Sequence, residues 1–113
     1  MTPKLTYDEV LQRLNEDRSV DKWRVRKSAL RQIVWLSEWH IPGCRSESRC
    51  LSTTKADAIE AALDFADGCG KDGFGYPRGM LISLKRYGVA HTTSPLFGPV
   101  VTTVSRHRLE ELL

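Results

Sequence analysis

Apolar residues first recur at helical spacing just after Leu5. Leu5-Thr6-Tyr7-Asp8-Glu9-Val10 has the form of a helix start, with Thr6 placed to cap the third amide, Glu9 to reach back and Leu5 to staple onto Val10. Val10, Leu11 and Leu14 continue one apolar face, and the helix is expected to end near Asn15 or Glu16, followed by a polar connector to Asp21.

Trp23 to Ile41 fits two periodicities. As a strand it puts Ile33, Trp35, Trp39 and Ile41 on one face and Val34, Leu36, Glu38 and His40 on the other; as a helix it lines up Leu30, Ile33, Val34 and Leu36. The strand is preferred, because Pro42-Gly43 is a turn signal and Ser48 to Thr53 reads as a returning strand, which makes a hairpin. Trp23 to Arg26 either extends that strand or forms a separate one.

Thr54 and Asp57 then open a helix in which Ala58, Ile59, Ala62, Leu63 and Ala66 repeat at helical spacing up to Gly68, a small flat face of the kind that lies on a sheet. Met80 to Arg86 reads as a strand that Val89 to Thr93 continues past Gly88. Val100 to Val104 reads as another, and Ser105 as the cap of a last helix stapled by Val104 and Leu109. The expectation is an α+β fold, one small domain over residues 1–113 in the order α-β-β-α-β-β-α, its antiparallel sheet covered by helices. The alternative is a mostly helical N-terminal half with residues 22–40 as one helix.

Composition narrows the function classes. At 113 residues, 41% hydrophobic and 27% charged, the chain has ordinary globular content. Three cysteines without paired spacing, and no cationic start leading into an apolar run, set the cytoplasm as the expected compartment. The longest mostly apolar run, Ile33 to Leu36, is far short of the roughly 20 residues of a membrane span.

Between Asp67 and Gly79 stand five glycines with Phe74, Tyr76 and Arg78. Loops that long are uncommon in compact domains unless they function or are disordered. The glycines do not form a nucleotide motif: the stretch follows a helix and feeds a strand, and Lys71 is followed by Asp72 rather than Ser or Thr. The stretch reads either as a flexible connector or as a contact loop, the latter because aromatics and arginine are enriched at interfaces. Lys71, Phe74, Tyr76 and Arg78 are the candidate partner-binding residues, with another protein as the partner.

No catalytic, metal or cofactor site is expected. His40, Cys44, Cys50 and Cys69 lack any Cys-x-x-Cys knuckle. His91, His107, Cys50 and Asp72 are available for hydrolysis but sit in no local motif, so enzyme activity would need an unrecognised site. Glu60 and Asp64 most simply form the solvated face of the central helix.

The formal net charge is +3, from 17 Lys plus Arg against 14 Asp plus Glu. Its layout matters more than its size. Lys22, Arg24, Arg26, Lys27 and Arg31 crowd into ten residues, whereas Asp57, Glu60, Asp64, Asp67 and Asp72 make the middle acidic, a polarity suited to steered binding of an anionic surface. Those five cations, joined by Arg106 and Arg108, form the candidate nucleic-acid site, where Trp23 could stack on a base. The plainer reading is a solvated face with Trp23 in the core.

A short capped helix followed by hairpin and helix, without a catalytic motif, resembles the compact α+β accessory proteins of phages and prophages. The resemblance implies a protein that acts by binding, often by inhibiting or holding a host enzyme complex, and frequently as a homodimer.

Overall fold

The computed structural model describes residues 3–43, 47–69, 78–94 and 98–113. The chain is an α+β fold with a four-stranded antiparallel sheet. Helix α1 (Tyr7–Asn15), a 3-10 turn (Lys22–Arg24) and the short α2 (Lys27–Leu30) precede strands β1 (Ile33–His40) and β2 (Glu47–Ser52). Then come α3 (Lys55–Cys69), α4 (Arg78–Tyr87), β3 (Val89–Ser94), β4 (Gly98–Arg108) and a terminal 3-10 helix (Leu109–Leu112).

The start of α1 is as the sequence implies. Thr6 accepts from the Glu9 amide while the Glu9 carboxylate accepts from the Thr6 amide, closing a capping box. Leu5 is anchored separately, its N–H donating to the Arg24 carbonyl at 2.7 Å and its carbonyl accepting from the Arg26 N–H at 3.0 Å.

Two hairpins build the sheet in the order β2-β1-β4-β3. The central pairing sets Ile33 opposite Arg108, Trp35 opposite Arg106 and Leu36 opposite Ser105. On one face Val34, Leu36 and Leu51 pack with Leu5, Val10, Leu11, Leu14, Val25, Ala29 and Leu109. On the other, Ala90 and Val104 pack with Ala58, Ile59 and Ala62 of α3 and with Met80 and Leu84 of α4, and Trp35 lies against them half-buried. Successive strand residues alternate between these two layers, so one sheet organises both.

The β1–β2 hairpin rules out a single helix over residues 22–40. Trp23 to Arg26 is not a strand either: its chain turns in a 3-10 bend with Val25 pointing in.

The second half departs further from the sequence reading. Met80 to Arg86 is helical, not extended. A strand would put Met80, Ile82 and Leu84 on one face, yet Met80 and Leu84 are 2% and 0% exposed and Ile82 is 61% exposed, the i, i+4 signature of a helix. Four apolar residues among the five from Met80 to Leu84 fit either period, and packing beside α3 over the sheet decides it. Ser105 opens no helix, because β4 stays paired with β1 as far as Arg108. Val104 and Leu109 consequently lie in different cores, on opposite faces of the sheet, and do not staple.

Candidate nucleic-acid interface

The two segments of the predicted basic set come close in the backbone where α2 runs into β1, but the register puts Arg106 and Arg108 on the Trp35 side of the sheet, whereas the 3-10 turn and α2 pack on the Val34 side. The Leu109 N–H donates to the Gln32 carbonyl at 2.9 Å, and Ile33 stands opposite Arg108. Arg31 therefore sits within two residues of the strand position that faces Arg108, and Arg106 follows two residues further along β4. All seven are at the surface, with Arg24 half-buried and the other six exposed.

Trp23 is the feature that sequence reading weighed wrongly. It is 75% exposed, not core. The cause is local: Arg24 and Val25 donate to the Asp21 and Lys22 carbonyls at 3.0 and 3.1 Å, a tight turn that sends Val25 inward and leaves the indole at the tip between Lys22 and Arg24. The Leu5 pairing on either side of Val25 fixes that turn to the body of the protein.

Some of this charge is already balanced. Arg26 acts electrostatically on the Glu9 carboxyl, which the Thr6 hydrogen bonds in the first place hold below its ordinary value. Arg108 lies 3.9 Å from Glu110. Among the described residues Lys22, Arg24, Lys27, Arg31 and Arg106 have no ion pair, which leaves the first four for a ligand, Arg106 being on the other side of the sheet. One further cation was missed: Lys55 stacks 5.9 Å from the centroid of the Trp35 ring and donates to the Lys85 carbonyl at 3.0 Å. Trp35 stands opposite Arg106, so Lys55, at the start of α3, shares that face of the sheet with Arg106. No sequence spacing links residues 35, 55 and 106; only the sheet register does.

The other sequence candidates are placed as follows. Lys71, Phe74 and Tyr76 lie outside the described residues, and Arg78 is the first residue of α4. The glycine-rich stretch is shorter than predicted, because α3 continues through Asp67 and Gly68 to Cys69. Cys44 and Asp72 also lie outside the described residues. His40 shares a face with Val34 whereas Cys50 pairs with Ser37 on the opposite face, so the two do not share a ligand. His107, opposite Val34, faces away from Cys50 for the same reason, and His91 is exposed on β3. No cluster of three metal-ligating side chains occurs among the described residues, and no helix among them is long and apolar enough to cross a membrane. No protein-family model, no curated protein and no solved structure matches the chain.

Proposed function

We propose that the protein binds single-stranded nucleic acid through the surface formed by Lys22, Trp23, Arg24, Lys27 and Arg31. The exposure of Trp23 carries this reading. A large indole held out in water between two cations has no packing role in the fold, whereas an unpaired base offers it a π-face and the adjoining phosphates offer the cations their counter-charge. Arg24 and Arg31 in the set present planar guanidinium groups, which suit phosphate better than an ammonium does. A single strand is favoured over a duplex because stacking on Trp23 requires an accessible base face.

The experiment is a titration of the protein with a fluorescent single-stranded oligonucleotide at low salt, beside a duplex of the same sequence. Trp23→Ala is expected to weaken single-strand binding by about 1–3 kcal/mol, roughly the worth of one base stack, without lowering the melting temperature. Equal affinity of parent and variant would remove Trp23 from the site.

A second reading, a protein partner such as a host enzyme complex, draws support from α4. Ile82 and Tyr87 are 61% and 70% exposed there, on the helix that follows the glycine-rich stretch. Pull-down of a partner that survives Trp23→Ala and is lost in Phe74→Ala with Tyr76→Ala would favour it.

A further inference from the structure

Three side chains that no spacing singled out converge at the end of β4. Ser105 and His107 are two residues apart on one strand and so share a face, with Ser105 Oγ 2.7 Å from His107 Nε2. The terminal 3-10 helix turns Glu111 back along the same side, placing its Oε2 3.5 Å from His107 Nδ1. A carboxylate facing Nδ1 favours the tautomer with the proton there, so that Nε2 presents its lone pair and the Ser105 hydroxyl donates to it. This is the order of contacts of an activated nucleophile: hydroxyl, base, and a group that orients the base.

The backbone beside it supplies a second element. The Leu109 N–H points to β1, bonding Gln32, and the Val104 N–H points the other way, bonding the Gly88 carbonyl at 2.8 Å. Odd residues of β4 thus pair with β1 and even ones face β3, which has no residue opposite β4 beyond this bond. The amides of Arg106 and Arg108 therefore point out of an edge that no described strand covers. Arg106 follows Ser105 directly, and the amide after a nucleophile is a common donor to a developing oxyanion. An open cleft of about 240 Å³ adjoins the base, lined by Ile33, Arg106, His107, Arg108 and Glu111; Ser105 is not part of that lining and meets it through the His107 imidazole.

We propose that Ser105 and His107, positioned by Glu111, form an acyl-transfer site that hydrolyses small carboxylic esters carrying a negative charge. Ser105 Oγ attacks the ester carbonyl carbon as Nε2 takes the hydroxyl proton, and the oxyanion forms next to the Arg106 amide. Collapse breaks the bond to the alcohol, which leaves with the proton from Nε2. Water then attacks the acyl-serine and gives its proton to Nε2. The carboxylic acid departs, the proton returns to Oγ, and the sum is ester plus water to acid plus alcohol. Arg106 and Arg108, which line this cleft beside His107 from the other face of β4, favour the anionic substrate.

The test treats the whole protein with a fluorophosphonate probe, maps the adduct by mass spectrometry, and follows turnover of the p-nitrophenyl monoester of succinate beside that of acetate. One adduct is expected, on Ser105. Turnover should be faster with the anionic ester and absent in Ser105→Ala. His107→Gln should slow labelling at least about 100-fold, the usual worth of a general base. Glu111→Gln should lower kcat while leaving KM unchanged, with Glu111→Asp recovering part of the loss, since the carboxylate acts only through the imidazole. Melting curves accompany each variant, and where one fails to fold the adduct on the parent decides. Absence of a Ser105 adduct on the parent, or labelling unchanged in a folded His107→Gln protein, overturns the proposal.

Discussion

Asn15 makes with Leu51 both hydrogen bonds that a neighbouring strand would make: its Oδ1 accepts from the Leu51 N–H at 2.7 Å and its Nδ2 donates to the Leu51 carbonyl at 3.0 Å. Leu51 belongs to β2, an edge of the sheet, so the last residue of α1 closes part of the edge with a side chain. Asn15→Ala leaves both groups of Leu51 without that partner. A loss of about 1–3 kcal/mol in urea unfolding is expected, together with concentration-dependent association on sizing columns, since an open strand edge templates pairing. Unchanged stability would show that solvent serves Leu51 equally well.

The helical reading of α4 is checked by two neighbouring apolar residues. Leu84→Ala, at a fully buried site, is expected to cost about 2–5 kcal/mol, and Ile82→Ala, on the exposed side, less than about 0.5 kcal/mol. Equal costs would fit a strand with both residues on its inner face.

That pair also shows where the sequence was legible. The Thr6–Glu9 box and the Ala58, Ile59 and Ala62 face of α3 depend on contacts within a few residues, and both stand as read. Met80 to Leu84 is too short for periodicity to decide, so tertiary packing chose the helix. The strand reading of Ile33 to Ile41 rested on the turn that follows it, and β1 bears it out. Reading a helix from Ser105 onward, by contrast, hid the Ser105–His107 contact, which exists only if the two alternate on a strand. The surface position of the basic residues was legible because charged side chains are rarely buried unpaired. The place of Lys55 beside Trp35 was not, because it depends on how α3 docks on the sheet.

Gly88 joins α4 to β3 with φ of +72°, and an added Cβ would stand 2.8 Å from the Val104 carbonyl oxygen. Gly88→Ala therefore meets a left-handed backbone cost of about 1–2 kcal/mol and a clash besides. Gly43, at φ +88° with open space around it, isolates the first contribution. Chemical denaturation should rank Gly88→Ala as clearly more destabilising than Gly43→Ala; the reverse order would contradict the close approach of Gly88 to β4.

Tyr7 donates its hydroxyl to the Ile33 carbonyl at 2.7 Å, and burial first, then the Asp8 charge, raises its pKa above the ordinary 10.0. A group whose folded pKa is raised adds stability that is fully present below the unfolded value and is lost as pH rises through the folded one. Unfolding free energies measured from neutral to alkaline pH should converge for parent and Tyr7→Phe as the phenol ionises, after differing by about 0.5–1.5 kcal/mol at pH 7. A constant difference across that range would mean that Tyr7 titrates as it does in the unfolded chain.

The most direct measurement of the proposed function is the dependence of single-strand affinity on salt. Neutralising about four phosphates should give a log–log slope near −2.8 on single-stranded DNA. Replacing Arg24 and Lys27 together by Ala should reduce that slope in magnitude by about 1.4, whereas Trp23→Ala should lower affinity at every salt concentration and leave the slope as it was. Absence of binding at low salt, or an affinity indifferent to salt and to these substitutions, would contradict the assignment of this surface to nucleic acid.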